Sequence, residues 1–417
     1  MKKNLAIYIF AGMILGFATG LTLQALFPAN TWIEQNITQG ILTAISNMFM
    51  SCLKMIVAPL VLFSLICGLS SLSDSSKIGR LSIKTIFTYI FTTALAISIA
   101  ISISNFIEPG IALTKTIETK KNIGSLNMME ILQSIIPDNI IEALAEGKML
   151  QIIFFATLFG IALAKTDNEN KLKPVFFSIN DVILKIVGFI MMLAPIGVFA
   201  IMAKLALTVG IKTFEGIAYY FLTVILALMI QIFIVYPVIL KVFSGLSIRS
   251  FFRKIKSVQL VAFTTSSSNA TLPLTMKTAE NNMGVKKEIS SFTLPLGATI
   301  NMDGTAIMQG VATVFIAQTY QQDLSISDYV TVVIMATLAS LGTAGVPSAG
   351  IVTLAMVVKQ VNLPTEGIAL IIGVDRLLDM LRTSVNVTGD SVVTLIIAKS
   401  EKCIDIKQYN SKQEQKT

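Results

Sequence analysis

Long blocks of apolar residues make up most of this chain, and its polar positions fall between the blocks rather than alternating within them. The first block runs from Leu5 to Phe27, behind Lys2 and Lys3. A helix needs about 20 mainly apolar residues to cross hydrocarbon, and the apolar core of a cleaved signal peptide is only about 7–15 long. The block therefore predicts a retained span. A second, from about Ile37 to Leu72, predicts a strongly tilted or extended span. Further spans are predicted over Thr85–Phe106, Met149–Leu163, Val182–Thr208 and Tyr219–Val242.

After Lys256 the pattern changes. Two apolar segments are interrupted at their middles, by Thr264–Pro273 (TTSSSNATLP) and by Gly342–Gly350 (GTAGVPSAG). The first is flanked by Arg249, Arg253, Lys254 and Lys256 on one side and Lys277, Lys286 and Lys287 on the other. Basic clusters mark cytoplasmic flanks, so the segment enters and leaves on one face. The second lies between acidic connections near Asp323–Asp328 and Glu366, and would enter from outside. Non-helical backbone at membrane depth persists only where protein buries it or water lines it, so two opposed tips imply a shared polar site. Each hairpin is followed by an apolar helix with polar residues midway, Leu294–Ile316 carrying Asn301-Met302-Asp303-Gly304-Thr305, and Gly367–Ala398 carrying several ionisable groups. Hairpin, helix, hairpin, helix is the inverted-repeat order of secondary transporters with a midplane site.

Composition supports a membrane protein. Of 417 residues, 54% are hydrophobic and 13% charged, against about 25% charged in soluble domains. The net charge of +8 is explained by where the bases fall, not by nucleic acid. Lys77, Arg80 and Lys84, Lys171 and Lys173, the hairpin flanks and the tail after Lys399 would face the cytoplasm with both termini. Only the Glu108–Asn127 loop, with Lys115, Lys120 and Lys121, runs against that rule. The chain has no histidine, which excludes Ser/His and Cys/His catalysis and His-ligated metal sites. Cys52, Cys67 and Cys403 have no CxxC spacing, and Gly147-Lys148 is followed by Met149, so a Walker phosphate loop is missing. The segment after Lys402 reads as a disordered cytoplasmic tail.

The last helix concentrates the chemistry. At about 100° per residue, with Asp375 at zero, Asp379 falls near 40°, Arg382 near −20°, Thr383 near 80°, Asn386 near 20° and Asp390 near 60°. One stripe about 100° wide carries nearly every polar group. Asp379 and Arg382 can simply neutralise each other, but that leaves Asp375, Asp390 and Asp303 without partners, a surplus better explained by mobile cations. Hard cations take oxygen ligands of the kind that broken helices expose, and Asn301, Asp303, Asn386 and Asp390 fit. Arg382 offers a planar fork to a carboxylate, while Asp379 suits an ammonium. A ligand with both groups is an acidic amino acid, and importing it against an inside-negative potential costs about 2.3 kcal/mol per charge per 100 mV, which co-transported cations offset.

At these residues the chain resembles the dicarboxylate/amino acid:cation symporter family, the glutamate and aspartate transporters. The likeness rests on Ser266–Pro273, Asn301–Thr305, Gly342–Pro347 and the last-helix stripe in order. It implies an all-α integral membrane fold of eight spanning helices plus two re-entrant helical hairpins, a homotrimer in the plasma membrane, and elevator-type motion. Residues 1–77 and 128–210 would form the scaffold, residues 78–110 and 211–400 the transport domain, and 401–417 the tail. By likeness, Ser268, Thr305, Val346, Gly350, Asp379, Arg382, Thr383 and Asn386 would hold the substrate. One sodium ion would take Gly297, Asn301, Asn386 and Asp390; a second Tyr89, Thr92, Thr93, Asn301 and Asp303; a third Thr299 with the carbonyls of Ser340, Leu341 and Thr343.

The chain departs from the family where Ser266 and Met380 stand at positions that usually offer a second arginine; here the extra arginine is Arg376. Proton coupling, with a carboxylate carrying the proton, and transport of simple dicarboxylates stay open, as does an uncoupled channel.

Overall fold

A computed structural model describes residues 2–27, 31–70, 76–114, 136–166, 171–209, 212–342 and 349–411. These are almost wholly helical: among the described residues there is no strand, only an isolated bridge between Val285 and Ile404. That is the form an apolar chain takes in lipid, where a helix satisfies its own amides and carbonyls. The helices are α1 (Lys2–Leu26), α2 (Thr43–Ser70), α3 (Ser76–Ile107), α4 (Ile111–Thr114), α5 (Ile140–Glu146), α6 (Met149–Thr166), α7 (Lys173–Val209), α8 (Lys212–Ile230) and α9 (Tyr236–Ser244). They continue with α10 (Ile248–Thr265), α11 (Ser268–Lys277), α12 (Lys287–Ile300), α13 (Asp303–Thr319), α14 (Ile326–Gly342), α15 (Ala349–Gln360), α16 (Ile368–Ser400) and α17 (Ile406–Asn410).

Among the described residues, Ile83–Ile107 and Glu215–Ser244 are each long and apolar enough to cross a bilayer, and the bent pair Lys173–Ile190 and Met192–Thr208 makes a third if it is one span. Its 42° bend has a local cause. Pro195 inside α7 has no N–H for the carbonyl four residues earlier, where the two segments part.

Two groups of helices pack chiefly among themselves, and they meet where α2 touches α14 and α15 and where α1 and α7 touch α16. In one, α1 lies along α7, and α2 lies against α6 and α7. Gly12, Gly16 and Gly20 fall four apart on one face of α1, and a methyl group on Gly12 would lie 2.5 Å from the Pro195 carbonyl oxygen. Such small-residue stripes let helix backbones touch where lipid gives no hydrophobic drive for association. In the other group, α3 packs on α13, while α8, α10, α12 and α13 surround α16.

The first interrupted segment does fold back. Lys254 Nζ on α10 donates to Asn282 O beyond α11 at 2.6 Å, joining the bases of the two arms. The break is narrower than the Thr264–Pro273 run suggests. Only Ser266 (φ 50°, ψ 37°) and Ser267 (φ −147°) leave the helix, and the Ser267 side chain caps α11 by accepting from Ala270 N. Pro273 sits inside α11, where its missing N–H costs a single bond near the helix start. In the second, residues 343–348 lie outside the described ones, and α14 packs against α15.

The expected continuous helix Leu294–Ile316 is two helices. Asn301 (φ −110°, ψ 85°) and Met302 (φ −112°, ψ 52°) break it between α12 and α13. Here short polar side chains and a glycine outweigh the apolar pattern that flanks them.

The expected disordered tail is also corrected. Residues 403–411 clasp the base of the first hairpin: Lys286 N donates to Cys403 O, Asp405 N to Gly284 O, and Lys254 Nζ to Gln408 O. Tyr409 is fully buried, with its hydroxyl on Ser247 O at 2.9 Å. Gly284 has φ +72°, and a side chain there would meet Asp405 O. The Cys403 thiol donates to Glu288 Oε1 at 3.1 Å; burial first and that carboxylate second push its pKa up, leaving a poor nucleophile. Ile404, Ile406 and Tyr409 were the sequence signal for this clasp. Tyr409→Ala should cost about 3–5 kcal/mol, as for other large buried aromatics. Thermal unfolding of the purified protein checks this, and an unchanged midpoint would contradict a packed clasp.

Candidate functional site

The stripe foreseen on the last helix lies inside the protein. Asp375, Asp379, Arg382, Thr383, Asn386 and Asp390 of α16 are all buried, Arg382 completely. α16 is continuous over 33 residues, so it holds these groups in fixed register against the broken α12–α13 pair and the hairpins.

Arg382 is the centre of this column. Its Nη2 donates to Asp375 Oδ1 at 2.8 Å and to Asp379 Oδ1 at 2.9 Å. Both contacts use one nitrogen, and Nε and Nη1 are buried with no hydrogen-bond partner. A methyl group on Gly350 would come 2.6 Å from Thr305 Cγ2 and 3.6 Å from Arg382 Nη1, so α15, α13 and α16 meet at the free side of the guanidinium. Gly304 lets α13 approach still closer: a side chain there would lie 2.5 Å from Arg382 O. Asp375 is therefore not a spare carboxylate, as its place in the sequence suggested, because it shares the guanidinium with Asp379. Arg376 Nη1 adds a contact to Asp379 Oδ2 at 3.3 Å.

Two further buried carboxylates are Asp303, at the start of α13, and Asp390, on α16. Asp303 Oδ1 accepts from Thr93 Oγ1 at 2.5 Å and Oδ2 from the Tyr236 hydroxyl at 2.9 Å. Asp390 Oδ1 accepts from Asn301 Nδ2 at 2.9 Å. Both have hydrogen-bond partners rather than countercharges. Thr92 Oγ1 lies 3.5 Å from Asn301 Oδ1 and donates to Tyr89 O at 3.0 Å, and the Tyr89 hydroxyl donates to Thr293 O at 2.9 Å. A side chain on Gly297 would meet both the Tyr89 hydroxyl and Asp390 Oδ1. Asn386 Oδ1 accepts from Gly304 N at 2.8 Å, satisfying one of the first amides of α13, and its Nδ2 reaches Met302 Sδ at 3.2 Å.

The sequence-derived candidates thus divide. Thr305, Gly350, Asp379 and Arg382 are neighbours, and Asn386 joins them through Gly304. Gly297, Asn301 and Asp390 form one oxygen-rich group, and Tyr89, Thr92, Thr93, Asn301 and Asp303 an adjoining one. Thr383 turns its hydroxyl back to Asp379 O at 2.7 Å. Ser268 is buried at the start of α11, which packs on α16. Thr299 and Ser340 bond within their own helices, Thr299 Oγ1 to Leu296 O and Ser340 Oγ to Thr337 O. Leu341 belongs to the last turn of α14, while Thr343 and Val346 lie outside the described residues.

The two oxygen-rich groups hold one carboxylate each, and among the described residues no cluster of three or more acidic or thiol ligands exists. One negative charge with hydroxyl, amide and carbonyl oxygens suits a hard monovalent cation better than a multivalent one. Sequence reasoning missed Tyr236. A π-helical turn, Gln231–Val235, precedes it and changes the phase of the helix before the tyrosine. Gln231, an amide inside an apolar block, was the available signal.

Broken helices around a buried, fully polar column define a membrane transporter of the secondary type, not an enzyme. The chain belongs to the sodium:dicarboxylate symporter family, whose description it matches over residues 5–400. It is 33% identical to the proton/glutamate-aspartate symporter of Escherichia coli K12, over 98% of this chain and 95% of the relative. It is 34% identical to the proton/sodium-glutamate symport protein of Geobacillus stearothermophilus, over 96% and 95%. It is 31% identical to the C4-dicarboxylate transport protein of Bacillus subtilis, over 97% and 95%.

Tyr236→Phe removes the donor to Asp303 Oδ2 and should cost about 1–3 kcal/mol for leaving a buried acceptor short. Thermal unfolding should report a lower midpoint; equal midpoints for variant and parent would contradict the contact's weight.

Proposed function

We propose that this symporter imports an acidic amino acid, glutamate or aspartate, coupled to sodium, across the plasma membrane in which both its termini face the cytoplasm. The observation that carries the reading is Arg382, fully buried, holding Asp375 and Asp379 through one nitrogen while Nε and Nη1 have no partner. Nη1 keeps its N–H donors unpartnered in a dry site, where they can make a charge-assisted hydrogen bond to a carboxylate oxygen. A side-chain carboxylate there places the substrate's ammonium toward Asp379. Thr305, Gly350, Thr383 and Asn386 would line the remainder, with Ser268 and Val346 at the hairpin tips.

The residues assigned to sodium are those of the two oxygen-rich groups, with Thr299, Ser340, Leu341 and Thr343 for a third ion. Cation binding next to an imported anion offsets the electrical cost of its entry. The packing of α1, α2, α6 and α7 chiefly with one another, and of α8, α10, α12 and α13 about α16, supports an elevator reading, in which a scaffold and a moving transport domain together make up eight spans and two hairpins and the protein assembles as a homotrimer. Proton coupling is the second reading, favoured by the names of two relatives.

Reconstituted liposomes decide among these. Labelled aspartate and glutamate should accumulate under an inward sodium gradient, and more weakly or not at all under a proton gradient alone. Arg382→Ala should abolish that uptake, and undiminished uptake would refute its role. Asp390→Asn should raise the sodium concentration for half-maximal uptake; an unchanged curve would count against ligation there. Accumulation driven equally well by protons without sodium would favour the second reading.

A further inference from the structure

A cavity of about 340 Å³ opens away from the Arg382 column, where the end of α9, the turn into α10, the end of α16 and the clasp helix α17 come together. Lys241, Ser244, Ser247, Lys399, Ile406 and Asn410 are among its lining residues, and no carboxylate is. Gly245 (φ +69°) makes the sharp turn that brings α9 and α10 to the same rim. Ile406 and Asn410 supply one wall, so the hollow exists because residues 403–411 fold rather than trail.

Its chemistry is one-sided. Two lysines line it, and among the described residues neither Lys241 nor Lys399 forms an ion pair; Lys241 Nζ donates to the Gly245 carbonyl at 3.4 Å. The Ser244 hydroxyl, which donates to Leu240 O, the Ser247 hydroxyl, which accepts from Ser250 N, and Asn410 add neutral polar groups to the rim. Beside Lys241, α9 turns apolar side chains outward, with Val238 54%, Val242 70% and Phe243 60% exposed. Arg249, Arg253, Lys256, Lys402 and Lys407 fall in the flanking segments, which puts this end of the bundle at the cytoplasmic leaflet by the distribution of basic residues.

We propose that this cavity binds the phosphate headgroup of an anionic phospholipid. The phosphate lies between Lys241 and Lys399 and the acyl chains run along Val238, Val242 and Phe243. A basic hollow at the end of α9, with exposed apolar residues on the same helix, matches both halves of such a molecule, whereas a free phosphate would leave those residues unused. Anionic headgroups at the cytoplasmic surface gain about 1 kcal/mol from each nearby Lys or Arg. The bound lipid would also tie α9, the first hairpin, α16 and the clasp together, and so raise stability.

The test uses the full chain in detergent. Phosphatidylglycerol, phosphatidylcholine and inorganic phosphate are added separately to the parent, to a Lys241→Gln/Lys399→Gln double variant and to a Lys241→Arg/Lys399→Arg double variant. Native mass spectrometry reads bound lipid, and thermal unfolding reads the midpoint. Phosphatidylglycerol should bind the parent and the arginine variant, raise their midpoints above those with phosphatidylcholine, and bind the glutamine variant about 30-fold more weakly, two lysines acting together. Equal phosphatidylglycerol binding by parent and glutamine variant would overturn the site. Phosphatidylcholine matching phosphatidylglycerol would overturn the charge selectivity, and inorganic phosphate giving the full shift would overturn the lipid as occupant. Should the glutamine variant not fold, the parent's preference between the two lipids and its response to phosphate decide the proposal by themselves.

Discussion

A guanidinium sealed from water between two carboxylates is the constraint on which the interior of this protein depends. Removing one partner from such a buried group costs about 3–5 kcal/mol, because the other charge is left uncompensated. Arg382 therefore needs Asp375 and Asp379, and all three need a rigid helix to keep them within reach. The contacts converge on a single nitrogen. The charge is met without using up the donors, and Nε and Nη1 remain for the anion that the proposed function assigns to this residue.

The surrounding architecture follows from supplying polar groups at membrane depth without leaving backbone unsatisfied. Asn301 and Met302 interrupt the path from α12 to α13, and the side chain of Asn386 takes up the Gly304 amide that the interruption frees. Ser266 and Ser267 do the equivalent at the first hairpin tip, where one serine adopts the left-handed conformation and the next caps the following helix. Glycines at 297, 304 and 350 keep these breaks close to α16, since side chains there would strike Asp390, Arg382 and Thr305. Asp303 shows the same economy: two neutral hydroxyl donors, Thr93 and Tyr236, hold its two oxygens.

Much of this was legible in the sequence because membrane burial makes polar residues conspicuous. The stripe from Asp375 to Asp390 could be placed on one helix face from spacing alone, and the folding-back of the first hairpin from the sign of its flanks. What escaped depends on chain path. Asp375 looked unpartnered because Arg382 lies seven positions on, two turns away, and only the reach of a long side chain closes that gap. Tyr236 is an ordinary aromatic in an apolar block until a π-turn presents it to Asp303, more than sixty residues later. The clasp was hidden by its polar composition, since a few buried groups, Tyr409 among them, suffice to dock it. The break at Asn301–Met302 was read as polarity within a helix, because five residues cannot outweigh the apolar turns around them in a pattern.

The most direct test of the central claim is an experimental structure of the protein with an acidic amino acid bound. A ligand carboxylate oxygen about 3 Å from Arg382 Nε or Nη1, with Asp375 and Asp379 still on Nη2, is the result this account predicts. A ligand bound elsewhere, with those two nitrogens facing only protein, would contradict it.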